Sequence, residues 1–216
     1  MQLGCVIALI PVVGSGGLRC IRRRLLMSGK TNNLRNELIL AGLEDINRNG
    51  IANLSFRRVA SACSVSCAAP YRHFKDKNDL IAAIIDYVNE QWAQRQDEIL
   101  QGCSDVLREQ IIEVCLGYIR FLMENPSYRS VLMLKDEQFD NLYHKKRTQF
   151  GSVAQTLQHH LFEASGYSKE VWDRKLMVCR SLIFGTVFLF DAGEFEYNET
   201  NMEYIRYTLN REFEVL

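Results

Sequence analysis

Tyr71, Arg72 and His73 put a phenol, a guanidinium and an imidazole within one helical turn, and Lys77 follows shortly after. All four are hydrogen-bond donors suited to phosphate oxygens. Just upstream, Ser66, Cys67, Ala68 and Ala69 are small side chains at the start of the same segment, of a size that admits close approach to base edges and thymine methyls. Ser55, Arg57 and Arg58 add a hydroxyl and two guanidinium groups one element earlier. The chemistry this set suggests is grip on a phosphate backbone around a short reading surface, rather than bond making or breaking.

Such residues need a scaffold that presents them together, and Ser55 to Leu80 reads as one. Ser55 is a good N-cap, and Phe56, Val59, Ala60 and Cys63 follow at the spacing of one helical face, with Arg57 and Arg58 pointing away from it. Ser64-Val65-Ser66 is a short polar break around an apolar residue, and Ser66 is placed to cap a second helix. With Ser66 as the cap, Pro70 falls at the fourth helical position, where its missing N–H costs little. Asp76 then caps a third helix, with Asp79 at its N3 position and Lys77 at its positive end, where an anion is favoured. Two short helices around a tight turn form a helix-turn-helix, whose second helix meets the major groove.

These residues resemble the TetR/AcrR transcriptional regulators. Val59-Ala60, Val65-Ser66, Tyr71-Arg72-His73-Phe74, Lys77 and Leu80 match that family's head, and Leu38 to Leu43 with Gly50 resemble its first helix and terminator. Ser64 stands where the family usually has a turn glycine, which strains the turn if positive φ is required there. Cys67 opens the reading helix, where a thiol is a poor base reader. The resemblance implies an all-α fold: a three-helix head over 31–78, with the helix-turn-helix at about 55–74, joined by a long helix to a helical body over 79–216 that dimerises and binds an effector.

The 216 residues carry no net charge, but residues 1–90 hold 12 Lys+Arg against 7 Asp+Glu, so the front is basic and the remainder acidic by the same margin. A local basic surface is what phosphate binding needs. Seven scattered cysteines form no C-x-x-C pair, which points to a reducing cytoplasm and to thiols acting as small apolar residues. Residues 1–30 differ from the rest. Leu3 to Val13 is an apolar run of eleven interrupted by Pro11, too short to span a bilayer and without the basic start of a signal peptide. Arg22, Arg23 and Arg24 follow it. The segment reads as a disordered or artefactual extension with Met27 as the start, the alternative being a basic arm that touches DNA.

Beyond Asp79 the pattern is helical. Leu80, Ile84, Tyr87, Val88 and Trp92 trace one stripe of a connecting helix that ends near Gly102, and further helical spans cover 105–124, 127–140, 141–165, 169–193 and 199–213. Gly166 and Gly193 fall where C-terminal caps belong. The span 169–193 carries two apolar stripes, so it must be covered on two sides. Trp172, Leu176, Cys179, Ile183, Val187 and Phe190 form the one assigned to a partner subunit, with Met177, Phe184 and Phe188 as the other; a central helix of a monomeric bundle is the alternative. An effector pocket, implied by the resemblance, draws on Tyr118, Phe121, Met133, Tyr143, Met177, Arg180 and Phe184.

The leading expectation is therefore a homodimeric, sequence-specific regulator of double-stranded DNA, a repressor on a roughly palindromic operator, with a small-molecule effector and no cofactor, metal or membrane. A DNA-independent helical interaction protein is the alternative. An enzyme would have to pair Cys115 or Cys179 with His144 or His159, and no phosphate loop, H-E-x-x-H or G-x-S-x-G element is present.

Overall fold

A computed structural model describes residues 30–132 and 151–214. The expectations for Leu3 to Val13, Met27, Met133, Tyr143 and His144 lie outside the described residues. Every regular element among the described residues is helical. The head is α1 (Lys30–Asn49), a 3₁₀ turn at Ile51–Asn53, α2 (Phe56–Ala62) and a second 3₁₀ turn at Pro70–Arg72. The connecting helix is α3 (Lys77–Gln101). The body follows as α4 (Leu107–Glu124), α5 (Pro126–Leu132), α6 (Gly151–Ser165), α7 (Lys169–Asp191) and α8 (Glu199–Glu212).

One apolar core runs through both regions because α3 serves both. Its first turns bury Leu80, Ile81 and Ile84 against Leu38 and Leu43 of α1, and its later turns bury Val88 and Trp92 against α4. Close helix approach depends on two glycines: a Cβ at Gly42 would meet Ile84 Cδ1 at 2.9 Å, and one at Gly117 would meet Ile99 Cδ1 at 2.3 Å. In the body α4 is central, packing on α3, α5, α6, α7 and α8.

Helix ends follow the expected chemistry. Asp76 accepts a bond from the Asp79 N–H at 2.9 Å, and the Asp79 carboxylate accepts from the Lys75 N–H at the same distance, so the start of α3 is tied from both sides. Ser168 and Asn198 cap α7 and α8 in the same way. Gly166 and Gly193 have φ of 69° and 71°, the left-handed conformation of a helix terminator.

Candidate nucleic-acid interface

The recognition segment is built differently from the expected helix. After α2 the chain stops in a left-handed residue, Ser64 at φ 58°, which is the position held by glycine in the resembling family. The Val65 N–H donates to the Ala60 carbonyl at 3.0 Å and the Ser64 N–H to the Ser61 carbonyl at 3.1 Å, a Schellman closure made without glycine. A left-handed residue with a Cβ costs about 1 kcal/mol.

The segment that follows is a pair of turns rather than an α-helix capped by Ser66. The Ala69 N–H donates to the Ser66 carbonyl and the Arg72 N–H to the Ala69 carbonyl, both three-residue spans. Pro70 is the reason: it has no N–H to return to Ser66, so the first four-residue bond is lost and the chain tightens into a 3₁₀ turn at Pro70–Arg72. Only the Phe74 N–H, donating to the Pro70 carbonyl at 2.9 Å, closes an α-type span.

This geometry sorts the expected contact residues. Ser66, Cys67, Ala68, Arg57, Arg72 and Lys77 are exposed, and His73 is half-buried. Tyr71 is 64% exposed, its ring edge-on to Phe56 at 4.8 Å, so the phenol stands clear of the core while its base is fixed. Ala69 is a correction: its side chain is buried at 9% exposure against the head core, on the inner side of the turn, and is withdrawn from a reading surface.

Ser55 and Arg58 have other work. Ser55 holds the N-cap position of α2 but makes no side-chain cap; its N–H instead donates to Asp45 Oδ2 of α1 at 2.9 Å. Arg58 Nε donates to Asp45 Oδ1 at 2.6 Å and Nη2 to Oδ2 at 2.9 Å, and Asn49 Nδ2 donates to Oδ1 at 2.9 Å. Asp45 is thus a buried carboxylate with four donors, fastening α1 to the start of α2. Burial pushes its carboxyl up, but the Arg58, Ser55 and Asn49 bonds more than offset this and hold it below the usual carboxylate value. Sequence reasoning missed this node because Asp45 and Arg58 lie on different helices, 13 residues apart.

The thiols are mostly quiet. Burial, with Glu37 nearby, pushes Cys63 up to about 11, and burial, with Glu212, pushes Cys179 up to about 12, so neither is a nucleophile at neutral pH. Among the described residues no group of three metal-ligating side chains assembles, and no helix is long and apolar enough to cross a membrane. His159 and His160 are both exposed on α6.

In the body the expected interface stripe is a second correction. Trp172, Cys179, Ile183, Val187 and Phe190 are buried, and Leu176 is half-buried; all pack into the chain's own core. The other stripe faces out: Met177 and Phe188 are each 63% exposed, and Phe184 is half-buried between them. The expected pocket residues also separate. Tyr118 and Phe121 are buried with Trp92, whereas Met177 and Arg180 are exposed on α7, and Phe184 stands between, its ring 6.4 Å from Tyr118. Trp92 was not expected as a polar feature, yet its indole N–H is buried with no acceptor among the described residues.

Three consecutive residues of α5 connect the two regions. Tyr128 meets Tyr87 of α3 edge-on at 6.3 Å, Arg129 forms an ion pair with Asp191 at the end of α7, and Ser130 Oγ donates to Asn47 of α1 at 3.0 Å.

The fold and the head together define an all-α protein that presents a short, exposed, cation-flanked turn on a small helical head. The model of the family described as bacterial regulatory proteins, tetR family, matches residues 38–84, which are most of the head and the first turns of α3. It is 30% identical to the nucleoid occlusion factor SlmA of Aliivibrio fischeri over 111 residues, half of this chain and 56% of that one, so it spans about half the length of that relative. Against the same-named protein of Vibrio vulnificus the identity is 25% over 187 residues, covering 81% of this chain and 92% of the other. A TetR family transcription regulator from Marinobacter aquaeolei shares the fold with a TM-score of 0.68 at 19% identity, over 88% of this chain and 97% of that one. A TetR-like regulator from Rhodococcus sp. RHA1 gives 0.61 at 16%, over 86% and 96%.

Proposed function

We propose that this chain is a homodimeric, sequence-specific DNA-binding transcriptional regulator, a repressor whose operator affinity is changed by a small molecule held in the body. The observation that carries the reading is the head: Arg57, Tyr71, Arg72 and Lys77 are exposed around the small side chains of Ser66, Cys67 and Ala68, on a turn fixed from behind by Phe56, Ala69 and Phe74. In this reading the donors hold phosphates, the small side chains and DNA shape carry sequence preference, and Arg58 acts through Asp45. Residues 31–78 serve as the head and 79–216 as the effector and dimer body.

The second copy docks on the outward stripe of α7, Met177, Ser181, Phe184, Gly185 and Phe188. A Cβ on Gly185 would meet nothing within 4 Å, so this side is open, and Ser181 with Gly185 permits close helix approach. Two heads in a dimer call for a roughly palindromic operator. A ligand acts by favouring one of two head arrangements, with α5 as the link.

Selection of bound fragments from sheared genomic DNA tests the reading. A small set of related, roughly palindromic sites beside genes supports it. Lys77→Ala and Arg57→Ala are expected to weaken binding to all duplexes alike and to lower the salt slope by about one each. Unchanged affinity for random duplex in both variants would favour the DNA-independent interaction protein. A second reading, a part in nucleoid occlusion, is favoured by the 81% of this chain that aligns with the relative of that name. Sites spread along the chromosome and away from promoters would support it.

A further inference from the structure

Two aromatic rings of the head core each seat a polar group at the edge of the reading turn. Phe56 meets the Tyr71 ring edge-on at 4.8 Å and leaves that residue exposed. Phe74, itself 1% exposed, lies under the guanidinium of Arg35, whose central carbon is 5.1 Å from the ring centroid, and the His73 ring is 6.4 Å from the same ring. Arg35 is exposed and comes from the second turn of α1. A third element of the head therefore brings a cation beside the turn, and sequence reading gave it no role because its neighbours in the chain are remote from that turn.

The charge on Arg35 is not neutralised within the head. Arg48 pairs with Glu44 at 2.7 Å and Arg58 with Asp45 at 2.6 Å, whereas Arg35 forms no ion pair with a carboxylate among the described residues. Glu37, two residues on, is carried to the other side of α1 and acts on Cys63. Asp79, just beyond Phe74, accepts from the Lys75 N–H. The first turn of α1 holds no acidic residue, so the positive end of that helix adds to the charge of Arg35 instead of offsetting it. A guanidinium held over a ring keeps its N–H donors in its own plane, oriented for another partner. We propose that Arg35 is a further phosphate-contacting residue of the head, continuing the row of Tyr71 and His73 onto α1 so that the duplex backbone is gripped from α1 as well as from the turn. Phe74 orients the guanidinium, and the donors in its plane meet a phosphate oxygen. The assignment rests on the reading of the head as a DNA-binding surface and adds a contact to it.

The probe is random-sequence duplex DNA, titrated with the full-length protein over a range of salt concentrations, with Lys77→Ala and Arg57→Ala measured beside it. Arg35→Met keeps an unbranched apolar stem against the Phe74 ring and removes the charge. It is expected to leave Tm unchanged, to weaken binding to every duplex about ten-fold at low salt, and to lower the salt slope by about one. Arg35→Lys keeps the charge without the planar group, and is expected to retain the slope while losing affinity about three-fold. Should Arg35→Met fold poorly, Arg35→Gln gives the same comparison. An uncharged variant that binds as tightly as the wild type, while Lys77→Ala and Arg57→Ala lose affinity, would overturn the proposal and leave the DNA reading standing; Arg35 would then only cover Phe74. A loss confined to one sequence, with the slope unchanged, would also overturn it, since that marks a base contact. Unchanged affinity in all the variants would remove the DNA reading and the proposal with it.

Discussion

The head and the body bury similar apolar side chains but are fixed by different means. In the head a few polar bonds set the geometry: Asp45 collects Ser55, Arg58 and Asn49, and Asp76 with Asp79 ties the start of α3. In the body the aromatic packing of Trp92, Tyr118, Phe121 and Tyr128 fills the centre, with ion pairs such as Arg129–Asp191 and Arg206–Glu113 between helices around it, and one indole N–H at that centre has no acceptor among the described residues. The contrast suits the function proposed for them. A reading surface needs fixed orientation, which directional bonds give, whereas a body that senses a ligand, as proposed, needs room to exchange one set of contacts for another.

The largest effect that breaks the comparison is expected from Asp45→Ala. It strands the Ser55 N–H and the Asn49 and Arg58 donors, and about 2–3 kcal/mol of head stability should be lost in chemical unfolding, with DNA binding lost in parallel. A loss of stability with unaltered DNA affinity would show that the node sustains the fold without orienting the reading turn. Acid makes the same point reversibly. Because the folded-state pKa of Asp45 lies below the usual value of 3.8, its contribution is present in full above that value. The contribution is lost as pH falls through the depressed folded-state pKa. Below neutral pH the wild type and Asp45→Ala proteins should converge in stability over that window.

Next in size is the pair Gly117→Ala and Gly42→Ala. An added Cβ would fall 2.3 Å from Ile99 Cδ1 in the body but 2.9 Å from Ile84 Cδ1 in the head. Gly117→Ala is expected to lower stability by about 1–2 kcal/mol, while at Gly42 the helix-propensity gain of alanine offsets the crowding. Thermal unfolding of both variants would reveal a reversed order if the body repacks more readily than the head.

Ser64→Gly should raise stability by about 1 kcal/mol, because it removes the left-handed strain where the family pattern has glycine. No gain in Tm would mean that the Ser64 side chain offsets its own strain. The smallest stability effect is expected from Tyr71→Phe: an unchanged Tm, with DNA affinity reduced about five-fold through one lost phosphate bond. A fall in Tm of the size seen for a core change would move Tyr71 from the reading surface to the fold.

Much of this was legible in the residues. The periodicity of Leu80, Ile84, Val88 and Trp92 gave the buried face of α3, and Asp76 with Asp79 gave its start, with Asp76 at the N-cap as observed. The head's exposed donors were legible as residue types, because turn and cap chemistry is local. Partners across helices were not. Arg58 read as a phosphate ligand until Asp45 stood beside it, and Ala69 read as a base-facing residue until Pro70 shortened the span and turned it inward. On α7 both stripes were evident, yet the one assigned to a partner is buried in the chain's own core, since two apolar faces of one helix look alike until the neighbours are known.

The sequence by itself determined the helical class, the family resemblance and the location of the head, because these depend on spacing, capping and composition along a short stretch of chain. Only the tertiary structure decided which cations are exposed to meet a phosphate, which face of α7 is turned outward, and that Trp92 buries an N–H with no acceptor among the described residues. Those depend on which groups from distant parts of the chain share one low-dielectric space, where a bond made or missing is worth most.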